Sequence, residues 1–302
     1  MKILKKLYKG KHMNKHLFLF LGLIALLIIY TGCEKEFLEQ PPRNTITTGS
    51  FWAGQQDLEE ATNSIYNAFQ RPMASMAPVI YGDIWADDME CPDPEWFIDL
   101  DNYTVKPTSI KFLNGDRNTL STWGCYYAAV FRANVVLEHV NDVDDVNEKI
   151  VQRSMAEAKF LRAYAYFMLV SIWDNVPYYL DNLSAGEAYD VTVTEADTVL
   201  NQVERDLLFA AGLDNNLNEI DGQGLFEKGT YEMGRATKGA AMAMLARVYL
   251  YREKWERAKE LAQMVMDIGI YDLEEDYGAN WDNLDENGKE SIFELQFKAN
   301  QP

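Results

Sequence analysis

The sequence predicts an all-α protein, a right-handed α-solenoid of tetratricopeptide-like helical repeats with long loop insertions. Apolar residues recur at every third and fourth position in six stretches, as expected for helices that bury one face. Only two residues separate the last two stretches, so these should form an antiparallel helical hairpin. The six predicted helices span residues 55–70, 118–140, 148–173, 194–213, 235–252 and 255–268.

The individual helices are predicted from their apolar stripes and their end signals. Residues 148–173 have the clearest stripe, and its alanines permit a neighbouring helix to approach closely. That stripe consists of Ala158, Leu161, Ala165, Met168, Leu169 and Ile172. Pro72 is expected to end the first helix, Thr194 to cap the fourth and Gly212 to end it. In the second helix, Asn134 lies among apolar residues on one face.

The hairpin over residues 235–268 carries the repeat motif. Ala246, Tyr249 and Ala258 have the spacing of the small, aromatic and small positions of a tetratricopeptide unit, in which the alanines let the two helices touch. The four earlier helices would be further units separated by insertions. Trp173, Trp255 and the tyrosines of the 160s are expected in the core, because they occur at helical spacing on apolar faces.

Residues 1–32 have the pattern of a lipoprotein leader. They contain six lysines and no acid, and their apolar run is too short to span a bilayer and ends at Thr31-Gly32-Cys33. Cleavage there would leave Cys33 as a lipid-bearing N-terminus that anchors the protein to a membrane. A transmembrane anchor is the alternative, which the lack of a charged stop after the run disfavours. Met13 is an alternative start.

The rest of the chain divides into a tether and a helical body. Residues 33–54 are polar with two prolines, as suits a lipidated tether, and residues 55–302 hold the predicted helices. Within the body, residues 72–115 lack sustained periodicity and are expected to be an insertion between repeat helices. Long ordered loops usually carry function, so we expect the binding site there.

The charge of the chain limits its ligands. It carries 47 acidic and 28 basic side chains, a formal charge of −19. Removal of a leader with six lysines leaves 22 basic side chains and a charge of −25. Such a surface repels nucleic acid and anionic lipid headgroups, so a neutral or cationic ligand, or a protein partner, is favoured.

Few residues are available for metal or nucleophilic chemistry. After the leader the chain has one histidine, His139, and two cysteines besides Cys33, namely Cys91 and Cys125. This set cannot form an ordinary zinc site, a Ser-His-Asp triad or a Cys-His dyad, and no metal or cofactor is expected. Unpaired thiols are favoured over a disulfide. The stretch DNNLNEIDGQG has oxygen ligands but lacks the glycine of an EF-hand loop, which leaves calcium open.

The predicted insertion contains candidates for a sugar site. A sugar ring has an apolar face rimmed by hydroxyls, so its site needs an exposed aromatic ring beside polar side chains. Trp96 follows the turn-rich CPDPE stretch and is the first candidate for that ring, and Asp88 is the polar candidate. The alternatives are that Trp96 pins the loop onto the helices and that Asp88 is a solvated acid. Trp85 is expected in the core.

Several motifs together resemble the SusD/RagB family of surface nutrient-binding lipoproteins, and their order is that of the family. They are CEKEFLEQPP, TTGSFW, YYAAVFRANVVLEHV, AEAKFLRAYAYFMLVSIWDNVPYY over residues 156–179, GRATKGAAMAMLARVYLY, Trp255 to Ala258, and SIFELQF over residues 291–297. Glu34 and Glu36 beside Cys33 also resemble the signal that directs such lipoproteins to the outer face of the outer membrane.

The resemblance implies a helical body whose loops bind an oligosaccharide or polysaccharide. Members cap a TonB-dependent outer-membrane transporter of the SusC type and deliver oligosaccharides to it without cleaving them. The implied location is the outer membrane, lipid-anchored and exposed at the cell surface. Members normally continue beyond the point where this chain stops, at Pro302, so a C-terminal part is expected to be missing. Binding by this chain alone is left open.

Two other functions are compatible with the sequence. A peptide-binding or structural repeat scaffold would use the concave helical surface, although the tryptophans of the insertion favour sugar over peptide. A glycoside hydrolase needs only two carboxylates, which the acidic loops supply in excess. No pair among them is singled out by an expected raised pKa, so hydrolysis is disfavoured.

Overall fold

The computed structural model describes residues 51–73, 82–83, 86, 122–281 and 286–297. Its α-helices within these ranges are α1 Gln55–Met73, α2 Thr122–His139, α3 Glu148–Trp173, α4 Ala185–Asp190, α5 Ala196–Ala211, α6 Lys238–Tyr251 and α7 Trp255–Asp267. Strands β1 Val176–Pro177 and β2 Val193–Thr194 pair antiparallel, and a 3-10 helix Tyr277–Trp281 follows α7. The predicted all-α fold class is confirmed.

The long helices pack on one another in chain order. Helix α1 contacts α2, α2 contacts α3, α3 contacts α5, α5 contacts α6, and α6 contacts α7. Within the hairpin of α6 and α7, Tyr249 and Ala258 of the predicted repeat motif are both buried. Serial packing of this kind, in which each helix contacts mainly its neighbours, is the arrangement that a helical repeat requires.

Helix α3 is the centre of the body, and its observed bounds are those that the apolar stripe predicts. It begins after Asn147, whose side-chain oxygen accepts a hydrogen bond of 2.9 Å from the backbone N–H of Lys149. Its stripe packs against α2 and α5 with the alanines fully buried. The helix also buries charged side chains, Arg153, Glu157 and Arg162, which need partners inside the protein.

Arg162 finds its partners on two other helices. Its guanidinium donates from Nε and Nη2 to the two carboxylate oxygens of Asp206 on α5, at 2.9 and 3.0 Å. Its Nη1 donates to the side-chain oxygen of Asn134 on α2 at 2.8 Å. Asn134 therefore lies on an apolar helix face because it completes this buried arrangement, and the three side chains join α2, α3 and α5.

Of three sequence predictions about helix ends, two are corrected and one is confirmed. Thr194 does not cap α5, because it pairs with Val176 in the small sheet; instead the side-chain oxygen of Asn175 accepts the N–H of Ala196 at 2.9 Å. Helix α1 continues through Pro72 to Met73, since a proline in the last turn removes only one helical hydrogen bond. Gly212 does end α5, in the left-handed conformation (φ 67°).

The predicted core is confirmed in part. Tyr166 is buried and donates its hydroxyl to the carbonyl of Tyr179 at 2.7 Å. Trp255 is not a core residue, as it is 57% exposed at the first turn of α7, next to the hairpin turn where no further helix covers it among the described residues. His139 lies at the end of α2, where its ring stacks on Trp52 with centroids 5.0 Å apart.

We predict that Asp206→Ala lowers the free energy of unfolding by about 3–5 kcal/mol, because Arg162 would stay buried without its counter-charge. Asp197→Ala on the same helix is the matched control. Asp197 also pairs with an arginine, Arg252, but its side chain is 76% exposed, so its loss should cost less than about 1 kcal/mol. Urea unfolding of the full chain measures both, and equal costs would contradict the assigned role of the buried pair.

Candidate functional site

The three residues that the sequence singled out for binding and anchoring, Cys33, Asp88 and Trp96, all lie outside the described residues. The described part of the chain offers another candidate, a pair of neighbouring exposed aromatic rings. Tyr277 and Trp281, at the two ends of the 3-10 helix, are 74% and 78% exposed. Their ring centroids are 6.5 Å apart, and the ring planes are inclined by 63°. We refer to them as the aromatic pair.

Local hydrogen bonds form the turn that carries the aromatic pair. The carboxylate of Asp276 accepts the N–H of Gly278 at 2.9 Å, and its carbonyl accepts the N–H of Ala279 at 2.9 Å. The first bond satisfies a donor that the turn leaves without a partner at its start, and the second is the first bond of the 3-10 turn itself. With its backbone satisfied in this way, the short helix can hold two large side chains outward into solvent.

Two glutamates connect this turn to the chain that follows it. The carboxylate of Glu290 accepts hydrogen bonds from the side chain of Asn280 and from the N–H of Glu274, both at 2.9 Å. The carboxylate of Glu274 in turn accepts the N–H of Lys289 at 2.9 Å. The bonds from Asn280 and Glu274 hold the pKa of Glu290 below its usual value of 4.5, so this carboxylate is ionised at neutral pH.

We call residues 271–297 the platform segment, and its described parts are fixed to the helical body at two places. Phe293 packs edge-on against Phe160 of α3, with centroids 5.4 Å apart, and against Tyr66 of α1. At the other end, the ring of Tyr271 packs over Gly239, where a β-carbon would lie 2.3 Å from the tyrosine oxygen. The aromatic pair is therefore exposed but attached to the core through its flanks.

This arrangement is suited to binding a polar ligand with apolar faces. Exposed tyrosine and tryptophan rings stack on the C–H faces of sugars, and their O–H and N–H groups remain available as hydrogen-bond donors. The neighbouring carboxylates can accept hydrogen bonds from hydroxyl groups. In the described ranges no group of three or more His, Cys, Asp or Glu side chains could hold a metal ion.

The aromatic pair is not among the residues predicted from the sequence. The prediction places the binding site in residues 72–115 and assigns no role to the stretch YGANW beyond the last predicted helix. A signal was present, since two large aromatic residues occur there in an acidic stretch without helical periodicity. Such residues cannot be buried in a regular helix face, and exposed aromatic residues outside a core often bind ligands.

Comparison with known proteins identifies the family to which this helical fold belongs. The SusD-like family model, described as "Starch-binding associating with outer membrane", matches residues 36–250. The chain belongs to the SusD-like family. It is 24% identical over 277 residues to a SusD-like protein of Formosa agariphila, P25, and 28% identical over 289 residues to a SusD-like protein of Bacteroides ovatus. The resemblance drawn from the motifs is confirmed.

A solved structure supports the fold assignment. A laminarin-binding SusD-like protein superposes with a TM-score of 0.64 and is 25% identical, covering 80% of this chain and 51% of its own. The matches to the two curated relatives span 91% and 89% of this chain. They span 50% and 48% of the relatives' own length. The chain thus spans about half the length of these relatives. In its described part, no helix is long and apolar enough to cross a membrane.

We predict that Glu290→Ala loosens the turn with the aromatic pair while leaving the helical body intact. Hydrogen exchange should become faster in peptides covering residues 271–281 and stay unchanged in α3, because only the bonds from Asn280 and Glu274 are lost. Glu286→Ala, an exposed acid of the same segment, is the control.

The same bonds give a pH dependence in the wild-type chain. Because the pKa of Glu290 is lowered in the folded state, its contribution is present above the usual value and is lost as the pH falls through the lowered pKa. The difference in exchange between wild type and Glu290→Ala should therefore shrink on acidification. Identical exchange at neutral pH would show that Glu290 does not hold the turn.

Proposed function

We propose that this chain is the glycan-binding part of a surface lipoprotein that captures oligosaccharides and hands them to a TonB-dependent outer-membrane transporter, without cleaving them. The observation that carries the proposal is the exposed aromatic pair on a segment fixed to a SusD-like body. A ligand that covers rings of this size removes apolar surface from water, which favours binding. A sugar ring covers an aromatic face without requiring a deep cavity.

The laminarin-binding relative supports a carbohydrate as the ligand. The geometry of the aromatic pair also favours one shape of glycan chain. Because the two rings are inclined by 63°, sugar rings that stack on both must be inclined to each other as well. A glycan that curves along its length meets this condition more easily than a flat ribbon does. We therefore propose a curved or helical chain as the ligand.

Trp96 and Asp88 remain part of the proposal as further contacts. Trp96 would supply another stacking ring, and Asp88 would accept a hydrogen bond from a sugar hydroxyl. Their support is the sequence alone, since the described residues end before them and resume after them. The transporter as partner is supported by the SusD-like family, whose model is described as associating with the outer membrane.

Trp281→Ala tests the binding site. We expect a loss of about 1–2 kcal/mol in binding, or about five- to thirtyfold in affinity, because one stacking ring is removed. The control is Trp255→Ala, which removes a ring of the same kind that is 57% exposed on α7. Affinity electrophoresis of the full chain in detergent, through gels with laminarin and other polysaccharides, measures both. Trp96→Ala in the same gels tests the predicted contact. Equal retardation of wild type and Trp281→Ala would contradict the site.

Cys33→Ala tests the lipid anchor. Without the thiol no acyl chain can be attached, so we expect the variant to lose label from radioactive palmitate and to leave the membrane fraction. Cys91→Ala serves as the control and should behave as wild type. A Cys33→Ala protein that is still labelled and still sediments with membranes would contradict the anchor.

A further inference from the structure

The surroundings of the aromatic pair are strongly acidic. The described residues within 272–294 carry seven carboxylates and a single basic side chain, that of Lys289. That cation is already beside a carboxylate, with its Nζ 3.9 Å from Glu274, and its backbone N–H is also bound to Glu274. Next to the pair, Glu275 and Asp276 are exposed. A ligand on the rings therefore meets a negative field with little positive charge to offset it.

Lys228 of the helical body contacts the platform segment, but its charge does not offset the negative charge around the aromatic pair. The ammonium group of Lys228 donates to the carbonyls of Gly288 and Ser291, both at 2.7 Å, and lies over the ring of Tyr271 at 5.4 Å. It is thus occupied in holding the platform segment. Burial lowers the pKa of Lys228, which agrees with a cation turned toward the protein.

The hydrogen-bonding capacity of the surface is equally one-sided. Ionised carboxylates accept hydrogen bonds and cannot donate them. Among the described side chains beside the rings, the amide of Asn280 is already bound to Glu290, which leaves the hydroxyl of Tyr277 and the indole N–H of Trp281 as neutral donors. Sugar hydroxyls match this surface because they donate. Sulfate and carboxylate groups of a glycan only accept, and they add like charge.

We infer that the aromatic pair takes uncharged, hydroxyl-rich glycans and excludes sulfated and uronate-rich ones. This inference rests on the proposed function, since it names the class of glycan that the same site accepts. Surface fields of this kind change the local concentration of charged ligands by about tenfold or more. The charge of a glycan determines whether it is excluded, and the faces of its sugar rings determine whether it stacks. The two effects can therefore be measured separately.

The experiment compares neutral glycans with charged counterparts. Laminarin is paired with sulfated laminarin, hydroxyethylcellulose with carboxymethylcellulose, and galactan with polygalacturonate, each against the full chain in detergent. We expect at least one neutral member to bind and its charged counterpart to bind about tenfold more weakly at low salt. The difference should shrink between about 10 mM and 1 M salt, as the Debye length falls from about 30 Å to about 3 Å.

A charge variant shows whether the platform segment causes the exclusion. Glu275→Lys should reduce the difference in affinity between the neutral and charged members. Glu138→Lys, the same change at an exposed position of α2, should leave that difference unchanged. Equal or tighter binding of the charged members by wild type would overturn the inference while leaving the proposed function standing. Binding of none of the glycans would contradict the proposed function and the inference with it.

Discussion

The buried pair of Arg162 and Asp206 is the interaction on which the helical body depends. Both side chains are almost wholly removed from water, so each charge is tolerated only while the other is in place. The guanidinium is a planar fork, and its remaining donor requires Asn134 in one position. Apolar stripes alone would allow α2, α3 and α5 to slide by a turn. These polar contacts fix one register, because any other would leave a buried charge without a partner.

A second buried acid, Glu157, connects α3 to the platform segment. Glu157 is fully buried, and burial raises its pKa. The positive charges of Arg235 and Arg153 oppose this shift by lowering the pKa. Glu157 accepts hydrogen bonds from Arg235 at 3.0 Å and from the hydroxyl of Tyr66 at 2.8 Å. The ring of Tyr66 contacts Phe293. The position of the platform segment therefore follows from a charge buried in α3, through α1 and one aromatic contact.

Sequence reasoning succeeded where one local property decides the structure. Helix α3 has its predicted bounds because its stripe is long and its alanines are buried on both sides. It failed where distant residues compete. Threonine is a favourable residue for capping a helix, but Thr194 instead pairs with Val176 in the two-stranded sheet. Trp255 has helical spacing, yet among the described residues no helix covers the turn on which it lies. The aromatic pair carries no periodic signal, because a 3-10 turn of five residues is held by hydrogen bonds to the carboxylates of Asp276 and Glu290.

The two kinds of polar contact in this protein have different consequences for function. Those within the body are buried, and removing one partner leaves a charge in a medium that cannot solvate it. Those around the aromatic pair are exposed or only partly buried, so water can replace a bond that is lost and the cost to the fold is smaller. The residues proposed to bind the glycan can therefore change without endangering the helices that support them. The proposed preference for uncharged glycans would thus depend on the charge of one turn and not on the helical body.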